Sequence, residues 1–388
     1  MQSLALNRPV WQLRRLAQMA LMALVACGTA QAETDLLKTP AQIEPKALES
    51  KFMDITRTGS GRLVAVGERG QIMFSDDGGR KWTQAKVPVS VTLTAVRFPS
   101  PQQGWAVGHD SVILHSADGG TTWTKRLDGH EVNPLILGST EALVAQRREA
   151  LDAAPKGGHE PLQTALEDAE YLLKEAKRAV DTGPSRPFMD IWFRDPQRGM
   201  IFGAFGLLLE TDDGGENWRA SVGAVQNLGG RHLYGAESSG KTLILAGESG
   251  QLHRSVDDGR HWERLKSPYE GSLFNVVAGA SAPCVLAVGL RGNLVRSCDA
   301  GQTWAHSVTT PNATLNGGVV LDDGTMVVVG MAGVAFVSRD GGQTLTPWET
   351  KFPGCMAVAD GREGTVVLVG LGGIKRMALP APSAGPRN

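Results

Sequence analysis

The 388-residue chain has little of what most catalytic or metal-binding proteins display. It holds four cysteines, at Cys27, Cys284, Cys298 and Cys355, and none has metal-ligand spacing, so no metal site is implied. Aromatic residues make up 6% of the chain, and only three are tyrosine. The formal net charge is −1, which excludes a general affinity for nucleic acid. No phosphate loop or nucleophile constellation occurs, and no cofactor is implied. Beyond the N-terminus no stretch reaches the roughly 18 apolar residues of a membrane span.

What is present is glycine, 48 residues of it, set in a repeat. Leu63 to Trp82 reads LVAVGERGQIMFSDDGGRKW: a strand, a Gly-bounded turn, a second strand, then a polar loop closed by Trp. Copies follow from Gly104, Gly199, Leu243, Val285 and Met326, and a seventh, Val366 to Leu379, stops before the polar loop. The landmark glycines Gly67, Gly108, Gly203, Gly247, Gly289, Gly330 and Gly370 stand 40 to 44 residues apart, except across one gap of 95. A period in the low forties built from short alternating strands is the mark of propeller blades. The expected fold is all-β: a seven-bladed β-propeller over 33–380, interrupted by a helical insertion at 134–185 between blades 2 and 3.

The polar loops follow Ser-x-Asp-x-Gly-x-x-Trp, with Thr211 in place of Ser in one variant. They carry Asp77 with Trp82, Asp118 with Trp123, Asp213 with Trp218, Asp257 with Trp262 and Asp299 with Trp304. Asp340 stands in a sixth copy that ends in Leu345. The pattern resembles the Asp-box (BNR) repeat, and its chemistry is structural. The carboxylate accepts backbone N–H groups and holds a tight turn; Gly supplies the backbone freedom; Trp buries a large apolar area.

The N-terminus reads as an export signal. Arg8, Arg14 and Arg15 precede an apolar core, Leu16 to Cys27, and Ala30-Gln31-Ala32 is a small-residue cleavage site. Residues 1–32 would be removed, placing the protein in the periplasm or outside the cell. The alternative is a lipoprotein anchored at Cys27, since Leu24-Val25-Ala26-Cys27 looks like a lipobox. Cys284 and Cys298 lie on neighbouring strands of one hairpin; they are expected to be buried thiols, with a disulfide as the alternative. The tail, 381–388, is expected to be disordered.

The long gap holds two expected helices, Thr140–Ala154 and Pro161 to Val180, separated by Gly157-Gly158. In the second, Leu162, Leu166, Ala169, Leu173, Ala176 and Val180 form an apolar stripe. Blade 7 lacks a fourth strand, and the segment near Thr34–Thr39 is expected to supply it and so close the ring. The innermost strands line a central channel. Aligning them puts Asp54, Ala95, Asp190, Tyr234, Asn275, Gly317 and Met356 at one level. Antiparallel order places the insertion on the face of the turns between second and third strands, opposite the Asp boxes. Those turns vary from blade to blade, so a partner-binding face is expected there. Its candidate residues are Arg69, His109, Asp110, Glu248 and Arg291.

Asp-box repeats, a VGxxG-like turn in each blade, seven blades and an export signal are together similar to the photosystem II stability/assembly factor-like family. The resemblance implies a non-catalytic scaffold that helps assemble or stabilise a membrane complex; the protein is expected to be a monomer. Its partner would be a protein in or near a membrane complex, such as a transporter. In photosynthetic members it implies a photosystem II reaction-centre protein held on an arginine-rich face; here only Arg69 and Arg291 fall in the turns. The alternative is a glycoside hydrolase, since sialidase-like enzymes also use Asp-box propellers. Its carboxylate pair would be Asp54 and Asp190 in the channel.

Overall fold

The computed structural model describes residues 35–155, 159–227 and 229–381. The export signal with Cys27, the Gly157-Gly158 break and the tail beyond 381 lie outside the described residues. Seven antiparallel sheets follow one another along the chain, six of four strands and one of three. The innermost strands are Phe52–Arg57, Leu93–Arg97, Phe188–Phe193, Leu233–Ser239, Leu273–Val277, Leu315–Val320 and Cys355–Arg362. Each packs against the innermost strand of the next blade, and the last packs against the first. The ring is closed.

The second strand of each blade explains the stacking. LVAVG, GWAVG, GMIFG, VLAVG and MVVVG are buried at every position. A short continuous apolar run of this kind suits a strand covered on both faces, and here neighbouring blades are the covers. Trp105 shows how tightly they fit. It is 1% exposed, and its ring lies 5.6 Å from that of Trp218 and 5.9 Å from that of Phe193. At Gly215, φ is +80° and an added Cβ would stand 2.2 Å from the Trp105 ring, so only glycine fits.

The closure differs from the one expected. Blade 7 keeps three strands, and residues 36–41 do not pair with it. They strap instead onto the linker between blades 1 and 2: Ser90 N donates to Leu36 O at 2.8 Å and Ala41 N to Val87 O at 3.0 Å. Leu37 is buried there, in the core between those blades. Blade 7 joins blade 1 through side chains and a shared apolar core of Phe52, Leu63, Val367 and Val369. Arg376 Nε donates to Gly78 O at 3.0 Å. The outermost strand of blade 7, Gly373–Ala378, carries Lys375 and Arg376, and charged residues blunt an unpaired edge.

The insertion is two helices, α1 (Gly129–Asp152) and α2 (His159–Thr182). Helix α1 begins eleven residues before the expected Thr140. The reason is a capping box: Asp128 Oδ1 accepts from His130 N at 2.9 Å, and Glu131 Oε2 accepts from Asp128 N at 3.0 Å. Pro134 sits inside this helix, where Val132 and Ile136 pack into the core between blades 2 and 3. The α2 stripe faces inward at Leu166, Ala169 and Ala176 but turns at its end: Ala179 is buried and Val180 is 40% exposed. No described helix is long and apolar enough to cross a membrane.

Cys284 and Cys298 form a disulfide, with S–S 2.04 Å and Cα–Cα 4.1 Å, where buried thiols were expected. Both flank the paired residues Val285 and Ser297, so their Cβ atoms oppose directly across the hairpin. Cys355 is free and buried, and burial pushes its thiol up to about 11.

Candidate functional site: two faces and a channel

The Asp boxes are closed hydrogen-bonding units. In the first, Ser75 Oγ donates to Asp77 Oδ1 at 2.9 Å and accepts from Gly79 N at 2.9 Å. Asp77 Oδ1 also accepts from Arg80 N and Lys81 N, and Trp82 Nε1 donates to Gly79 O at 3.1 Å. The same Ser/Thr–Asp–Gly relay recurs at Asp118, Asp213, Asp257, Asp299 and Asp340. These bonds hold Asp213, Asp257 and Asp299 at about 2; at Asp257 burial works against them. Trp123 and Trp304 repeat the Trp82 bond. The Nε1 atoms of Trp218 and Trp262 are buried without a partner among the described residues. The hydroxyl, donor and acceptor at once, belongs to Ser in five copies and to Thr211 in the other, and its role was not singled out from the sequence although the position was visible in every repeat.

At the other end of each blade is the turn between the second and third strands. Arg69, Asp110, Phe205, Ser249 and Arg291 occupy the same central position, all with φ between 54° and 58°. This left-handed conformation is uncommon for non-glycine residues, and each is followed by a buried or half-buried small residue. Arg69, His109 and Arg291 are exposed. Their side chains form no hydrogen bond or ion pair among the described residues. Asp110 is half-buried, and its turn abuts the arm: Ser111 N donates to Arg186 O at 2.9 Å. Glu248 is partly structural, since its Oε2 accepts from His232 N at 3.1 Å. Glu68 does the same for Lys51 N at 3.2 Å. The arm and these turns therefore share one face.

Asp54 and Asp190 line a channel cavity of about 240 Å³ with Arg57, Arg97, Glu237 and Asp360. Neither carboxylate is free. Asp54 accepts from Ile55 N at 2.8 Å and from Val96 N of the next blade at 2.9 Å. Asp190 accepts from Ile191 N at 2.8 Å and from Ala236 N of the next blade at 2.9 Å. Each is a staple between blades. Burial raises both above the usual carboxylate range, Asp190 to about 7, while Arg97, 3.8 Å from Asp190, pulls the other way. A glycosidase needs two carboxyl groups directed at substrate, and here all four oxygens face backbone amides.

Every innermost strand has a β-bulge at its second residue. The pairing therefore puts Gly235 and Ala357, not Tyr234 and Met356, level with Asp54. The bulged residues Met53, Thr94, Met189, Tyr234, Phe274, Asn316 and Met356 are all half-buried and ring the channel mouth on the arm-bearing side.

A second cavity, about 320 Å³, lies between the arm and blade 3. Ile136, Leu143, Leu172, Leu207 and Val222 give it apolar walls; Arg147, Asp168 and Arg186 add charge. Arg186 Nη2 donates to Glu175 O at 2.6 Å, and its guanidinium lies 5.6 Å from the Phe205 ring. Burial lowers the pKa of Arg186, and Glu175 opposes the shift. This cleft was not foreseen from the sequence; only the position of the insertion hinted at it.

The fold and these sites define an Asp-box seven-bladed propeller whose distinctive chemistry lies on one face. The family model for photosynthesis system II assembly factor YCF48 matches residues 80–139 and 170–352. The chain belongs to that family. It is 27% identical over 172 residues to a Synechococcus sp. (strain CC9902) protein named photosystem II assembly lipoprotein Ycf48, covering 43% of this chain and 51% of that one. It is 27% identical over 156 residues to the chloroplastic photosystem II stability/assembly factor HCF136 of Arabidopsis thaliana, covering 38% of each. The chain thus matches about half or less of the length of these curated relatives. Among solved structures, YCF48 bound to a D1 peptide superposes with a TM-score of 0.57 at 17% identity, over 86% of this chain and 94% of that one. YCF48 from Cyanidioschyzon merolae gives 0.56 at 15% identity, over 88% and 99%. At these identities the likeness is one of fold.

Proposed function

We propose that this protein is an exported, non-catalytic scaffold that holds a protein partner, in or near a membrane complex, on its arm-bearing face. The observation that carries the reading is the contrast between the two faces. The Asp-box carboxylates and hydroxyls are engaged within their own turns, whereas Arg69, His109 and Arg291 stand exposed on the arm-bearing face, with no side-chain hydrogen bond or ion pair among the described residues. The relatives named as assembly factors, and the D1 peptide bound to YCF48, support a protein partner over a small molecule. Export is supported by the signal-like N-terminus and by the Cys284–Cys298 disulfide, since such bonds persist in oxidising compartments. The Synechococcus relative's name favours lipid anchoring at Cys27 over cleavage after Ala32. Asp54 and Asp190, engaged with backbone amides, argue against a glycosidase.

The test is co-purification of membrane proteins with tagged, exported protein. An Arg69→Glu/Arg291→Glu double variant and a variant in which residues 130–183 are replaced by a glycine linker are compared with Lys81→Glu on the Asp-box face. The first two should lose the partner and the third retain it. Retention by both face variants, with melting temperatures near wild type, would refute the face assignment.

A further inference from the structure

We infer that the cleft between the arm and blade 3 is the seat of an extended peptide segment of the partner, which places one apolar side chain against α1 and α2. The inference rests on the scaffold reading and specifies what that scaffold grips. Three observations carry it.

The first is shape and lining. The cavity of about 320 Å³ sits at the small end of the range for ligand pockets and has room for one or two apolar side chains. Leu143 and Leu172 from the arm face Leu207 and Val222 from blade 3 and its outer linker.

The second is polarity. Asp168 Oδ2 is buried in α2 with no hydrogen-bond partner among the described residues, and a buried acceptor left unmade is costly. Arg147, half-buried on α1, also lines the cleft, and its side chain forms no hydrogen bond or ion pair among the described residues. Asp168 lines the cleft, and a turn about its side-chain torsions would bring that acceptor to a peptide N–H, whose neighbouring C=O would accept from Arg147. A lipid headgroup or a fatty acid supplies only part of that pattern.

The third is origin. The family model matches residues 80–139 and resumes at 170, so Thr140, Leu143, Arg147 and Asp168 fall in the stretch it passes over. Part of the cleft's lining, though not Ile136, Leu172, Leu207 or Val222, thus lies outside the sequence the family model describes, and partner specificity would differ there from one member to another.

The probe is a phage-displayed library of random 12-residue peptides panned against the full mature protein. Enriched peptides are then titrated by fluorescence anisotropy. Peptides sharing an apolar residue should emerge. Leu143→Arg, which fills the cleft, should weaken them at least tenfold, and Asp168→Asn severalfold. Lys81→Glu, on the Asp-box face, should leave them within about twofold. Tyr171→Arg, at an exposed position on the cleft rim, serves as the second blocking variant should Leu143→Arg lower the melting temperature. The inference is overturned if no peptide is enriched, or if enriched peptides bind the folded blocking variants as wild type. It is equally overturned if the blocking variants abolish self-association or binding to phosphatidylglycerol vesicles instead. Carrying the same variants through partner co-purification separates the two readings. Loss on arm removal but not with Leu143→Arg or Tyr171→Arg rejects the cleft and keeps the scaffold, while loss with neither arm removal nor the Arg69→Glu/Arg291→Glu pair rejects the scaffold itself.

Discussion

Arg57 of blade 1 donates to Asp360 of blade 7 at 2.7 Å, and both side chains are mostly buried. This ion pair spans the seam where the chain's two ends meet. The same guanidinium reaches Asp322 of blade 6 at 2.9 Å, but that carboxylate is 81% exposed.

Asp360→Ala should therefore lower stability by about 1–3 kcal/mol, the usual result of stranding a buried charged donor. Asp322→Ala should change it by less than about 1 kcal/mol, as for an exposed pair. Chemical denaturation of the two variants side by side makes the comparison. Equal losses would mean that the seam does not depend on the buried pair.

Asp190 gives a pH signature. Burial raises its pKa from 3.8 to about 7. The native state then holds a proton that the unfolded chain releases between those values, so this contribution is complete below about pH 4 and fades as pH rises through 7. In Asp190→Asn one amide bridge is lost at every pH, but the titration is gone. The deficit of the variant against wild type should shrink between pH 4.5 and pH 8 in thermal melts. A deficit that grows over that range would place the proton elsewhere. The window stays above the region near 2 where the Asp-box carboxylates protonate.

Reduction of Cys284–Cys298 should cost about 3 kcal/mol, the chain-entropy value for a closed loop near 15 residues, seen as a lower denaturation midpoint with reductant. Cys284→Ser/Cys298→Ser should show the lowered midpoint without reductant and no further change with it.

Gly215→Ala places a methyl group against Trp105 at a position with φ +80°. A loss of about 2–4 kcal/mol is expected from overpacking combined with strain. Intrinsic fluorescence should shift as Trp105 moves. Gly229→Ala, also at positive φ but with no atom near the added methyl, isolates the backbone share.

The ring was readable because its information is local and repeated. Each blade states its strands through a buried run such as Leu63–Gly67 and its turn through the Ser75–Asp77–Gly79 relay. Closure was misread because it depends on which distant surface Leu37 fits, and an apolar residue beside Pro40 does not name its destination. The Tyr234 and Met356 misalignment has a similar cause: the bulge adds a residue that leaves no mark in the hydrophobic pattern. The start of α1 was legible in the Asp128–Glu131 capping box, but Pro134 masked it. The cleft could not be read, because Leu143 and Val222 come from segments whose meeting depends on how the arm leans.

The arm's two roots lie side by side: a side chain at Gly129 would meet Pro184 at 2.8 Å. Blade 2 therefore hands the chain to blade 3 across a gap no wider than an ordinary loop, however much sequence is spun out between them. Evolution could lengthen, trim or exchange the outer part of this excursion while the circle of sheets kept its register. A common chassis would thereby acquire new clients one graft at a time.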